Sequence, residues 1–248
     1  RDESCLKVDS RAHGTVFVAT KEQLEERPSR MTECPLPAPL AESEPALGPV
    51  NLAAIYLRER SVDPRALTAA ALEAARHRDV DISSGTAVRE VLLADERVTG
   101  VGTDRSSYSA PVVVNCAGAW SGQLPPLQLP TRPVKGQMLS LAGASRDLVR
   151  HVIRAPEIYL VPRSDGRILV GSTLEEAGYD KRTDAATIQR MRKAAISLVP
   201  ALPQARMLEP WEVLRPGSRD NLTIHGPPTR PASLLPPGPI PRGRGDSS

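Results

Sequence analysis

The apolar positions of this chain change period along its length. Residues 13–20 (HGTVFVAT) alternate and are β-branched, which predicts a strand, and 53–59 (AAIYLRE) predicts another. Between them, 21–31 (KEQLEERPSRM) predicts a short helix. It should stop near Pro28, because proline removes a backbone donor. The period lengthens over 62–80 (VDPRALTAAALEAARHRDV), the clearest helix. Asp63 stands at the cap, Pro64 suits the first turn, and Leu67, Ala71, Leu72 and Ala75 mark the expected apolar face. Residues 81–104 predict a strand and a hairpin around Asp95 and Glu96. Residues 110–119 (APVVVNCAGA) are almost unbroken in apolarity, the pattern of a strand buried on both faces of a parallel sheet.

The second half is richer in alternating segments. Strands are expected at 134–141 (VKGQMLSL), 157–163 (EIYLVPR) and 167–173 (RILVGST), with Ser164-Asp165-Gly166 as a hairpin turn. Residues 183–202 predict a helix capped by Asp184, with Ile188, Met191, Ala195 and Leu198 on its buried side. Residues 206–226 predict a strand, a turn at Pro216-Gly217 and a last short strand. The segments near 10–20, 53–59, 132–141, 158–162, 167–172 and 208–214 should share one mainly antiparallel sheet. Strand–helix units followed by antiparallel strands place the chain in a mixed class, α/β plus α+β.

Composition narrows this reading. A chain of 248 residues can bury a real core, and with aromatics at 3% that core must be aliphatic. A net charge of +3, with scattered Lys and Arg, does not argue for nucleic acid. No apolar run approaches the ~18 residues of a membrane span. Cys5, Cys34 and Cys116 are odd in number and far apart, without zinc or CxxC spacing. A disulfide framework is therefore not expected, and a reducing, cytoplasmic setting is. Cys116 is expected to pack inside its strand, and His13, His77, His151 and His225 to be surface or turn residues. Proline concentrates at 34–49, expected to be an extended connector, and at 228–248, expected to lack regular structure. The sequon at Asn221 and the tripeptide Arg244-Gly245-Asp246 carry no signal in this setting.

The stretch 112–124 (VVVNCAGAWSGQL) ends in small residues and then places one of only two tryptophans. Small residues beyond a strand's carboxyl end let a ligand approach the backbone. Alone, the stretch reads equally well as a tight turn over a core Trp. It resembles, however, the strand-turn of the FAD-dependent amine and amino-acid oxidase superfamily. RPVKGQMLSL (132–141), IYLVPRSDGRILVGSTLEEAGYDKR (158–182) and EPWEVLRPGSRDNLTIHGP (209–227) follow in the order of its glycine-oxidase branch, linked to thiamine biosynthesis, with D-amino-acid and sarcosine oxidases as relatives. The resemblance covers roughly residues 10–227.

The resemblance implies an incomplete, Rossmann-like FAD-binding domain and an antiparallel-sheet substrate domain. The implied parts are 1–60 (strands and Pro-rich connector), 61–125 (FAD-domain remnant), 126–215 (substrate domain), 216–227 (return segment) and 228–248 (tail). Arg215 and Tyr159 match the family residues that hold a substrate carboxylate, and Leu174 a wall of the site. Val88, Ala117, Gly118 and Trp120 match positions that line FAD. The implied reaction takes a small amino acid or amine and oxygen. Hydride passes to flavin, giving an imino acid and hydrogen peroxide. No acid–base dyad is required of the protein, and homo-oligomerisation is left open.

Two features depart from the family. No G-x-G-x-x-G occurs, the loop whose helix N-terminus holds a dinucleotide pyrophosphate, and the Gly-His-x-Arg-x-Gly loop expected after 227 is replaced by PTRPASLLPPGP. Weak FAD binding by this chain alone is the expectation. Three readings stay open: an oxidase, a non-catalytic remnant, and a half-enzyme whose flavin-binding unit comes from a partner chain.

Overall fold

A computed structural model describes residues 6–26, 33–36, 38–48, 53–127 and 129–220. The chain divides into two compact units. The first comprises Arg1–Asp81, Gln137–Thr173 and Arg182–Glu212; the second comprises Ile82–Gly136, Leu174–Lys181 and Val213–Ser248.

The first unit is organised by an eight-stranded sheet. Its strand order is Met207–Gly217, Arg132–Ala142, Arg167–Gly171, Tyr159–Pro162, Val152–Arg154, Thr15–Ala19, Ala53–Leu57 and Glu33–Cys34. Arg132–Ala142 and Met207–Gly217 each pass from one unit to the other in mid-strand. Every pairing with a described register is antiparallel except that of Val152–Arg154 with Thr15–Phe17. The expected sheet is therefore present, joined by Val152–Arg154 and Glu33–Cys34, which the sequence does not predict in it. Ser10–Arg11 leaves it to pair with Ser61–Val62 in a separate two-stranded ribbon.

The sheet is covered by the helix Ala185–Leu198. Its expected stripe is buried: Ile188, Met191, Ala195 and Leu198 pack with Leu139, Leu141, Leu160 and Val170 in one aliphatic core. Asp184 caps the helix, accepting from the Thr187 amide at 2.8 Å, and the Asp184 amide donates to buried Gln137 at 2.6 Å. Hydrogen bonds from the Thr187 side chain and amide pull the Asp184 carboxyl below its ordinary range. The hairpin Tyr159–Pro162/Arg167–Gly171 turns where expected, its amide of Gly166 donating to Arg163 O.

Several expectations fail. The helix Pro64–Arg76 is capped by Asp63 as expected, but it buries Ala70 and leaves Leu67 and Leu72 over 40% exposed. Ala70 is the one residue it buries, so its buried side is not the expected leucine face. Residues 110–117 form no strand. A strand exists only through ladder partners; the first residue of this run still reaches the neighbouring meander, the Ala110 amide donating to Thr99 O at 3.0 Å. Val113 packs against Val91 and Val98, while Val112 and Val114 are more than half exposed, and so is Cys116 exposed rather than packed. Pro216 and Gly217 continue their strand instead of turning. The connector at 34–49 is not wholly extended: it holds the helix Leu40–Ser43 and the fully buried Glu44. Glu44 accepts from the Arg150 amide and from the amide and Nδ1 of His151, which makes His151 part of a buried network. The last strand, the sequon, His225 and the 228–248 tail lie outside the described residues.

The second unit holds a three-stranded antiparallel meander, Val88–Ala94, Arg97–Thr103 and Ser107–Ser109. Its first turn is Asp95-Glu96, both at positive φ (47° and 61°), the geometry that matches the twist of two-residue hairpins. Among the described residues, no helix is long and apolar enough to cross a membrane, and no cluster of three or more His, Cys, Asp or Glu is placed to hold a metal ion.

Two stability predictions follow from the first unit. Leu139 is fully buried, so Leu139→Ala should cost about 2–5 kcal/mol in urea unfolding. Asp9 accepts from the Ser164 amide at 3.0 Å and from its hydroxyl. Burial alone would raise the Asp9 carboxyl, but these bonds, with Arg163 and Arg11, bring it below its ordinary range. A depressed carboxyl stabilises fully above the unfolded value of ~3.9 and loses that contribution as pH falls through the lower folded value. Asp9→Asn should therefore be less stable at neutral pH and lose less on acidification. Parallel pH–stability curves for the two proteins below about pH 4 would contradict this.

Candidate functional site

Two strand glycines make room for the two side chains assigned to a substrate carboxylate. A strand position without a side chain leaves a slot that a neighbour can occupy. In the second unit, Arg215 fills the slot at Gly136: a Cβ there would overlap both terminal guanidinium nitrogens. Arg215 is half-buried. A guanidinium laid across backbone is held flat, and its planar fork suits a carboxylate through two parallel hydrogen bonds. In the first unit, Tyr159 pairs in register with Gly171, and its ring lies across that glycine. Its hydroxyl reaches Met138 Sδ at 3.8 Å. The glycines were visible in VKGQMLSL and RILVGST, where an interior strand glycine signals close approach, but their roles were not read.

The turn that ends in Trp120 is organised by a residue the sequence reading passed over. Asn115 is buried; its Nδ2 donates to Ser121 O at 3.0 Å and its Oδ1 accepts from the Ala117 amide at 3.1 Å. These bonds bend the chain into the 3₁₀ turn Gly118–Gln123. Gly118 adopts φ +56°, and nothing lies within 4 Å of where its Cβ would be. Ala117, Gly118 and Trp120 are thus brought together on one turn, at an open surface. Trp120 does not enter the core: it is 39% exposed and packs on Tyr179, with ring centroids 5.6 Å apart. Lys181 Nζ stands 5.1 Å from the Trp120 ring centroid, and the Tyr179 hydroxyl donates to Ala119 O at 3.0 Å. Aromatic spacing within a loop gave no sequence signal for Tyr179.

The two remaining assigned residues lie on other elements. Val88 begins the meander and is exposed. Leu174 opens the segment Leu174–Lys181 and is 63% exposed, so it is not a core residue. Among the described residues, this turn offers small open positions and apolar neighbours, Val112 and Val114. Small open positions beside an aromatic ring, with the Lys181 ammonium over it, fit the flat part of a flavin nucleotide.

The profile of the family described as FAD dependent oxidoreductase (DAO) matches residues 1–238. The chain is 45% identical to glycine oxidase of Pseudomonas putida over 134 residues, 53% of this chain and 36% of that protein. It is 34% identical to hydrogen cyanide synthase subunit HcnC of Pseudomonas aeruginosa over 194 residues, 76% of this chain and 46% of that protein. It therefore spans less than half the length of these curated relatives. The crystal structure of glycine oxidase from Geobacillus kaustophilus superposes with a TM-score of 0.84, covering 96% of this chain and 68% of that one at 24% identity.

The slot at Gly136 can be tested directly. The atoms a Cβ would meet are the far end of a flexible side chain, so Gly136→Ala should fold while displacing the Arg215 guanidinium. Calorimetric titration with glycine should show a loss of about tenfold or more, the scale of one charge-assisted hydrogen bond. Unchanged affinity would remove Arg215 from the carboxylate site.

Proposed function

The chain belongs to the DAO family of FAD-dependent oxidoreductases, and from that membership we propose that it oxidises glycine or another small amino acid at the carbon beside the carboxylate. The products are the imino acid and hydrogen peroxide, with oxygen as co-substrate. The observation that carries this reading is the Arg215 guanidinium laid flat across Gly136, in a chain 45% identical over 134 residues to a glycine oxidase.

The protein's own contribution is binding and orientation. Arg215 neutralises and aligns the carboxylate, and the Tyr159 hydroxyl is its second proposed donor. Leu174 is proposed as an apolar wall that limits the size of the group on the amine or α-carbon. Fixing the carboxylate fixes the α-carbon two bonds away, and this pre-organisation lowers the entropic part of the barrier. FAD, when bound, supplies the two-electron acceptor, and Val88, Ala117, Gly118 and Trp120 are the residues proposed to border it. No acid–base dyad is assigned, because orientation and exclusion of water are the tasks left to the protein.

A second reading is favoured by the longer match to HcnC, which reaches 76% of this chain. In that reading the chain works as one subunit of an enzyme that forms hydrogen cyanide.

The test is to add FAD to the purified chain, supply glycine or sarcosine, and assay peroxide and cyanide separately. Peroxide without cyanide supports the oxidase, and cyanide supports the second reading. Flavin retained only after adding a chain that carries a glycine-rich βαβ unit would support the half-enzyme. In an active preparation, Arg215→Lys should raise KM by about tenfold or more, since an ammonium cannot reproduce the bidentate fork. A KM unchanged by that substitution would count against the assigned role.

A further inference from the structure

Lys135 is the one lysine among the described residues that is buried, at 4% exposure. A buried ammonium needs compensating charge, and Lys135 finds it on a single segment. Its Nζ lies 3.9 Å from Glu175 Oε2 and 3.9 Å from Asp180 Oδ2, both within Leu174–Lys181. The backbone repeats the connection: Lys135 and Glu175 exchange both amide-to-carbonyl bonds at 2.9 Å. Arg132, on the same strand, adds a third contact, donating to Glu176 at 3.1 Å. Two cations of one strand thus hold three acids of one loop.

What the loop presents is the reason to ask what the clamp is for. Immediately before Glu175 stands Leu174, an apolar side chain left 63% exposed. Immediately before Asp180 stands Tyr179, packed on Trp120. A loop held only for stability would be expected to turn its leucine inward; this one is fastened from behind and offers it outward.

We propose that Lys135 is a positioning residue, which clamps the loop 174–181 and thereby fixes Leu174 and the Trp120–Tyr179 pair at the substrate and cofactor site. The clamp stands on the geometry alone; its role at the site rests on the oxidase reading. Removing the ammonium takes from Glu175 and Asp180, each about one-third exposed, the cation they share, and the loop loosens without opening a large cavity.

The test uses the full chain with Trp211→Phe, which leaves Trp120 as the sole tryptophan. In that background Lys135→Met should increase acrylamide quenching of Trp120 and shift its emission to the red, while Lys135→Arg should restore both. In steady-state oxidation, Lys135→Met should raise KM by roughly ten- to a hundredfold with a smaller change in kcat, and should narrow the preference for glycine over bulkier amines. Should Lys135→Met not fold, Glu175→Gln with Asp180→Asn releases the loop from its other side and carries the same expectations. Equal quenching in parent and variant overturns the clamp. Greater quenching with unmoved KM and selectivity overturns the role at the substrate site. A parent chain that oxidises no amine, with or without a partner, defeats the oxidase reading, and quenching then decides the clamp by itself.

Discussion

Eight of the eleven residues of Arg132–Ala142 are buried, and three of the buried side chains are polar: Lys135, Gln137 and Ser140. A strand so enclosed must find partners for each polar group it carries, since an unpaired buried group costs on the order of 1–3 kcal/mol and a charge costs more. The neighbouring structure answers that demand for Lys135 and Gln137, while among the described residues the buried Ser140 hydroxyl has no hydrogen-bond partner. Gln137 accepts from the amide of Asp184, the cap of the helix Ala185–Leu198, so the helix starts where the strand needs it. Lys135 draws Glu175 and Asp180 to itself. Leu139 and Leu141, on the same strand, carry the aliphatic core. Gly136, with no side chain, carries Arg215.

Seen this way, the candidate chemistry is a by-product of close packing at particular places. Arg215 and Tyr159, proposed to hold a carboxylate, each lie against a glycine whose missing Cβ leaves room for them. A free arginine on a flexible stem would lose about 2 kcal/mol of rotamer entropy on binding; one already laid across a glycine has less freedom to lose. The same economy applies to the turn at Asn115, where two side-chain hydrogen bonds replace a ladder and leave Ala117 and Gly118 open.

The family pattern and the physical pattern diverge most at residues 110–117. The valines there have every local reason to form a strand, and the structure shows period-two burial, with Val113 inward and Val112 and Val114 outward. The alternation survives without the ladder. Side-chain direction follows from the extended backbone, whereas strand identity depends on a neighbouring chain. In the helix Pro64–Arg76, likewise, Asp63 and Pro64 place the start, but Ala70 is buried and the leucines are exposed.

Local signals in the sequence determined much of this protein. Capping by Asp63 and Asp184, the Asp95-Glu96 and Ser164-Asp165-Gly166 turns, the alternation of the sheet strands and the stripe of Ile188, Met191, Ala195 and Leu198 were all legible, because each rests on contacts within a few residues or on one repeated period. The ordered motifs also led to the oxidoreductase family and its flavin. Only the tertiary structure decided which glycines admit Arg215 and Tyr159, that Trp120 meets Tyr179 instead of the core, that Glu44 is buried with His151, and that Lys135 holds the loop 174–181. All but the hairpin pair Tyr159 and Gly171 lie tens of residues apart in the chain, and they meet only after the strands have taken their register. No period or propensity encodes such a meeting; it is set by which backbone passes close enough to leave, or to fill, a space.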